Sequence, residues 1–263
     1  MASYRDRLNT KQAAAIRQPF LEKKNRMDKL DEYFTLIKDK IVTNARRQKE
    51  PVRLAAAMLG QTMADGGVIQ LFGIGHGEEF VNELNFRAGG LAPFHALRLM
   101  DLALHGKVDR RAVDDGTLAG DDSCLDDLLG LYQLDARDAY VIVSETGTEP
   151  LAVSLAERVK AHGHRLIAVV AHVSDDVNSI QHQADLVLEM DHDVSDPALQ
   201  IDGLRVGQVS STLGNVLAQT LTAELYRWFQ ENQMEAPVLL SANLAGADAH
   251  NNALTDRYHG RVR

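Results

Sequence analysis

Ser144, Thr146 and Thr148 alternate along SETGTEP (Ser144–Pro150), between an apolar run and a helix-forming stretch. A helix start leaves amide N–H groups unpaired and carries the positive end of the helix dipole. Hydroxyls and amides at such a corner suit a phosphate or a sugar oxygen. A second hydroxyl run, Ser210, Ser211 and Thr212, opens another amphipathic stretch. Plain helix capping also accounts for hydroxyls at these positions. A third corner, GIGHGEEF (Gly73–Phe80), sets His76 between Gly75 and Gly77. A loop histidine there has little to pack against, so ligand contact or proton transfer is the favoured role. Glu83 lies two helical turns on, and Arg87 one turn further. Glu83 is either a base or ligand group in a crevice or a solvent-facing carboxylate. Arg87 is either a sugar clamp or the i,i+4 ion-pair partner of Glu83. His182 is a third acid–base candidate whose ordinary role is a surface histidine; His172, His192 and His250 have the same standing. The glycines at 73, 75 and 77 make a weak dinucleotide loop, because Glu78 interrupts the usual spacing. No Cys/His cluster has zinc spacing, so no cofactor is expected and a metal only through residues distant in sequence.

The elements that position these residues follow from apolar patterning. Tyr140–Val143 is a short β-branched run of the kind parallel strands use. Gly147 admits the turn behind it, and Pro150 suits a first helical turn. Leu151, Ala152, Leu155, Ala156 and Val159 share one helical face, and Arg165–Ala171 is the next strand, which makes a βαβ unit. Val68–Phe72 and Leu186–Met190 read as further strands, and Pro93–Met100 holds a short one. Leu30, Phe34, Ile37 and Ile41 mark a long N-terminal helix, which Glu50-Pro51 is expected to interrupt before a second helix from Val52. Residues 101–122 lack periodicity and read as a lid or surface loop, and Asp191–Gly207 as irregular. A helix is expected around Leu125–Tyr132. Another starts at Ser210, with Leu213, Leu217, Leu221, Leu225 and Trp228 spaced for burial. Residues 1–25 read as an arm, 26–65 as N-terminal helices, and 66–263 as an α/β core forming one domain with those helices. Hydroxyl-bearing corners beside strand ends point to one crevice at the carboxyl edge of a parallel sheet.

Composition narrows the partners. The net charge of −9 argues against nucleic acid and anionic membrane. One cysteine, Cys124, rules out an internal disulfide framework. No signal-like segment or membrane-length apolar run is present in the sequence, so a soluble, cytoplasmic chain is expected.

Several motifs together resemble the SIS (sugar isomerase) domain family. SETGTEP is similar to its S-x-S-G phosphosugar loop, with Thr146 in place of the second Ser. Gly73–Pro93 resembles a bacterial branch of phosphosugar isomerases, phosphoheptose-like, with G-x-G-H-S followed by E-E-L-F-Y-R-A-G-G-L-A-P. GQVSST (Gly207–Thr212) and SANLAGAD (Ser241–Asp248) are similar to two further motifs of that branch. The resemblance implies a flavodoxin-like, three-layer, doubly wound α/β fold with a five-stranded parallel sheet and an N-terminal helical extension. It implies a homodimer or homotetramer with interfacial active sites and a sugar-phosphate ligand. The substrate would be bound by Gly75, Gly77, Arg87, Ser144, Thr146, Gly147, Thr148, Ser210, Ser211, Thr212, Ser241 and Asn243, with Ser144, Thr146, Thr148 and Ser210 to Thr212 holding its anionic end. Glu83, His76 and His182 would carry aldose–ketose isomerisation through an enediol. A non-catalytic sugar-phosphate sensor or scaffold and an amino-sugar-phosphate lyase or deglycase are the alternatives on the same fold. The sequence departs where Gly77 replaces the branch's Ser, and where Glu78, Glu79, Glu145 and Glu149 crowd the two anion corners. A carboxylate favours the helix dipole but repels a nearby phosphate.

Overall fold

The computed structural model describes residues 28–173, 175–190, 199–258 and 260–262. Five apolar runs form strands β1 (Ile69–Gly73), β2 (Phe94–Ala96), β3 (Ala139–Val143), β4 (Arg165–Val170) and β5 (Leu186–Glu189). They make one parallel sheet in the order β2-β1-β3-β4-β5, the flavodoxin-like order. The expected fold class is therefore the observed one.

Side chains alternate across the sheet, so each strand feeds two cores. Ile69, Leu71, Val141, Val143, Ile167 and Val169 face one side. There they meet α1 (Lys29–Ala64), α2 (Gly77–Leu84) and α8 (Ser210–Glu231) through residues such as Leu59, Phe80 and Leu221. Phe72, Tyr140, Ile142, Leu166 and Ala168 face the other side, against Leu102 of α3 (Leu99–Leu104), Leu128 of α5 (Leu125–Gly130), Leu155 of α6 (Pro150–Ala161) and Ile180 of α7 (Ile180–Gln183). A last helix, α9 (Ala247–Asp256), packs Leu254 with Val68 and Leu239.

Three sequence expectations are corrected. Pro51 does not interrupt the N-terminal helix: α1 runs through it. An interior proline costs about 3 kcal/mol. Here the residues on both sides of it are anchored. Asn44 Nδ2 donates to Glu189 O at 3.0 Å, Gln48 Oε1 accepts from Glu189 N at 3.1 Å, and Val52, Ala55, Ala56 and Leu59 are buried. Residues 101–122 are not a bare loop. They hold the end of α3, α4 (Arg110–Asp114) capped by Asp109 through Arg111 N, and a 3-10 turn at Thr117–Gly120, pinned by buried Leu102 and Leu118. Part of Asp191–Gly207 is a hairpin, β6 (Leu199–Ile201) and β7 (Leu204–Val206). Its two-residue turn, Asp202-Gly203, has both φ angles positive, which is the strongest short hairpin signal a sequence offers.

The residues divide into two compact units, Met1–Lys38 and Asp39–Arg263. In the first, the opening of α1 leaves Leu30 and Phe34 exposed. The expected arm at residues 1–25 lies outside the described residues. Among the described residues no helix is long and apolar enough to cross a membrane.

A buried polar network locks the amino edge of the sheet. Asp138, just before β3, is 2% exposed and accepts from Val68 N at 2.9 Å, Gln70 Nε2 at 2.9 Å, Asp135 N at 3.0 Å and the Arg261 guanidinium. Gln70 Oε1 faces His95 Nδ1 on the neighbouring strand at 2.8 Å. Burial pushes the His95 imidazole down from its ordinary value, against the opposing pull of Asp101 and Asp138. The unfolded chain therefore binds a proton that folded His95 resists. Stability should rise with pH from the depressed folded value up to the unfolded value of about 6.5, and be lost as pH falls through that window. Denaturant titrations from acid to neutral pH should show this slope, and His95→Gln should flatten it.

Candidate functional site

The sheet order reverses between β1 and β3, and the loops leaving those two strands meet there. Open α/β sheets hold ligands at this switch point. The β1 loop turns through Gly75 and enters α2. Gly77 packs directly on β3: a Cβ there would lie 2.6 Å from Val143 O. The serine that the resembling branch carries at this place therefore has no room here. The first α2 amides are already paired, with Gly77 N on Ile74 O, Glu78 N on Gly75 O and Glu79 N on His76 O. This helix start is thus not an open anion cradle.

His76 is the meeting point. Its Nδ1 stands 2.9 Å from Ser210 Oγ at the start of α8 and 3.0 Å from Glu145 Oε1 on the β3 loop. Gln208 Nε2 lies 3.2 Å from the other ring nitrogen. An amide nitrogen donates, so Nε2 accepts and the proton sits on Nδ1. Serine and carboxylate approach the same nitrogen, which excludes a hydrolase relay, where they occupy opposite nitrogens. The Glu145 carboxylate instead gives a protonated ring a counter-charge beside it.

In the β3 loop, Ser144 is fully buried, donates to the Glu149 carboxylate, and accepts from Gly147 N at 2.7 Å. Its hydroxyl is used inside the loop. Thr146 and Thr148 are exposed and hydrogen-bonded to each other at 2.8 Å. Gly147 has φ +75°, and a Cβ there would come 2.0 Å from Gln181 Oε1. Burial, with Glu79 adding to it, raises the Glu78 carboxyl above its usual range, while Arg98 opposes.

Glu83 accepts from Gln219 Nε2 at 2.8 Å and pairs with Arg87. His76 contacts α8 at its start and Glu83 contacts it at Gln219, so α2 and α8 run side by side in the same direction. Glu83 lies seven residues beyond His76, about 10 Å along the helix. Ser211, Asn215 and Gln219 repeat every four residues on the facing helix, so a polar stripe joins the two ends. Among the described residues, Asn215 Oδ1 and both side-chain polar atoms of Gln181 are buried without a hydrogen-bond partner. Orphans of this kind are rare and mark places where a ligand or water is expected.

The other expected site residues fall elsewhere. His182 is exposed on α7. Ser210 is buried while Ser211 and Thr212 are half-buried at the start of α8. Ser241 and Asn243 form a turn before α9, next to Leu239, which bonds Gly89 and Gly90. That is the far end of α2 from His76. His172 lies 3.2 Å from Glu189, His250 bonds Val238 O, and His192 lies outside the described residues. Among the described residues no group of three His, Cys, Asp or Glu could hold a metal ion. Gln208, Asn215, Gln219 and Gln181 went unseen in the sequence. The four-residue repeat of 211, 215 and 219 was the available signal, since it sets a polar stripe on an otherwise apolar helix.

A doubly wound sheet with polar groups gathered at its switch point defines a small-molecule-binding α/β protein. The chain belongs to the SIS domain family, whose model matches residues 32–171. It is 28% identical over 244 residues to a UPF0309 protein of Geobacillus thermodenitrificans (strain NG80-2), covering 89% of this chain and 96% of that one. It is likewise 28% identical over 240 residues to UPF0309 protein BH0227 of Halalkalibacterium halodurans, covering 88% of this chain and 94% of the relative. The fold is similar to that of phosphoheptose isomerase GmhA from Neisseria gonorrhoeae, at TM-score 0.54 and 17% identity, over 76% of this chain and 98% of that one.

The Gly77 contact makes a direct prediction. Gly77→Ser should lower stability by about 1–3 kcal/mol through overpacking against β3, rather than restore an anion site. Chemical denaturation of the variant measures it.

Proposed function

We propose that the chain binds a sugar phosphate along the α2–α8 stripe and interconverts its aldose and ketose forms, with His76 moving the proton. One observation carries this: an imidazole with a carboxylate beside it at the switch point, joined by a polar stripe to a second carboxylate about 10 Å away. Enediol chemistry needs an acid–base group and a base within the reach of one sugar. His76, with Glu145 as counter-charge, suits ring opening and proton return. Glu83, once Arg87 and Gln219 are displaced by substrate, suits abstraction from carbon. The phosphate goes to the start of α8, at Ser211 and Thr212, because Glu149 already occupies the Ser144 hydroxyl. A second copy of the chain covers the solvent side of the stripe, where Glu79 and Gln219 are exposed.

A second reading, in which the ligand is an unphosphorylated sugar or the chain only senses its ligand, is favoured by the same Glu149 contact and by the lack of room at Gly77. GmhA, whose fold is similar, is a phosphoheptose isomerase, which supports the catalytic reading by fold alone.

Thermal-shift measurements with sugar phosphates and free sugars separate the ligand classes. A binder present at about 100 times its Kd adds about 2.7 kcal/mol of stability. With the binding sugar phosphate, solvent deuterium should enter at C1 or C2. His76→Ala should slow that exchange by about a hundredfold or more. Glu83→Gln should abolish it while binding is kept. Binding without exchange in the parent chain would give the sensor its case, and binding of free sugars alone would remove the phosphate.

A further inference from the structure

At the β2 edge of the sheet, beyond the end of α2, β2 and α3 border a cavity of about 390 Å³. His95, Asp101, Tyr132, Arg98, Asn85 and Phe86 line it. His95 is 7% exposed, and among the described residues only its Nδ1 has a hydrogen-bond partner. The hydrogen-bond chain behind it decides which nitrogen carries the proton. Asp138 is a carboxylate and only accepts, so the Gln70 end that meets it at 2.9 Å is the amide NH2. Gln70 Oε1 is therefore the atom facing His95 Nδ1, and Nδ1 must donate to it. Among the described residues nothing donates to the lone pair on Nε2 of His95, whose side chain lines the cavity.

The rest of the lining is complementary in kind. Tyr132 OH donates to Asp101 Oδ2 at 2.7 Å and accepts from Arg98 N at 2.9 Å, which leaves the second oxygen of Asp101 as an acceptor. Asn85 Oδ1 accepts from Ala96 N at 3.1 Å, which turns its NH2 outward as a donor. Arg98 uses Nη1 on Asn82 and keeps further N–H groups. Phe86 has φ +44°, a conformation that a bulky residue adopts at a cost, yet its side chain remains 44% exposed. Phe86 thus borders the cavity without being buried.

We propose that this cavity is a second binding site, taking a small uncharged polyhydroxylated molecule, a free sugar or polyol, whose hydroxyl donates to His95 Nε2. Hydroxyls both donate and accept, so they match His95 and Asp101 on one side and Arg98 and Asn85 on the other. The CH face of such a molecule suits Phe86. A phosphate would meet the Asp101 carboxylate and a lone pair, and is disfavoured. This site is independent of the chemistry assigned to His76.

The test uses the full chain with nitrogen-labelled histidine, whose ring resonances are assigned with His95→Gln and His76→Ala. In the parent chain His95 should show the Nδ1–H tautomer. D-glucose, D-mannose, D-ribose and glycerol are then titrated separately. At least one should move the His95 Nε2 resonance saturably while His76 stays still, and Gln70→Leu should weaken that binding about tenfold. An Nε2–H tautomer, no saturable His95 shift with any of the four, or a shift produced only by sugar phosphates would overturn the proposal. The tautomer and titrations in the parent chain decide it even where Gln70→Leu fails to fold.

Discussion

The carboxylate of Asp138 ties four parts of the chain to one point. It holds the amide that begins β1, the Gln70 side chain within β1, the turn ahead of β3, and Arg261 near the carboxyl terminus. Through Gln70 it reaches β2 as well. A buried charge is costly unless every lone pair finds a donor, and here donors from backbone, amide and guanidinium converge. The result is a fixed amino edge, with β1, β2 and β3 in defined register, from which the carboxyl-edge loops project. The position of His76 relative to Glu145 depends on that register, because one follows β1 and the other follows β3.

The carboxyl edge shows a family loop put to altered use. In the resembling motif, hydroxyls at the Ser144 loop face an anion. Here Ser144 is satisfied by Glu149, and Glu145 turns to His76. Two of the four carboxylates that look like obstacles to phosphate in the sequence, Glu145 and Glu149, are in the fold partners of His76 and Ser144. For that reason the ligand is proposed to lie along the α2–α8 stripe rather than in the β3 loop.

Much of this was legible beforehand, for physical reasons. The five strands announced themselves as apolar runs between turn residues, and the βαβ pattern led to a parallel sheet. The motif resemblance led to its order. Pro51 misled because proline cost is local, whereas the burial that outweighs it comes from residues far along the chain. Asp202-Gly203 was a readable turn signal masked by its polar surroundings. At the site, His76, Glu83 and the hydroxyl runs stood out by type, but their pairings depend on loop geometry that no spacing encodes. The Gln70–His95 pair was visible only as a polar residue inside the apolar strand IQLFG, and a buried amide in such a place requires a partner.

The parallel alignment of α2 and α8 has a consequence for how any solute arrives. Both helices point their amino ends at the same edge, and α6 begins there too, so three positive poles lie together. Glu78, Glu79, Glu145 and Glu149 lie beside them, and up to four negative charges outweigh poles of about half a charge each. Recruitment to this edge is then governed by short-range hydrogen bonds rather than by long-range attraction. An anion's encounter with this edge should therefore quicken as salt screens the carboxylates, the reverse of a crevice left electropositive, while a neutral solute's should change little.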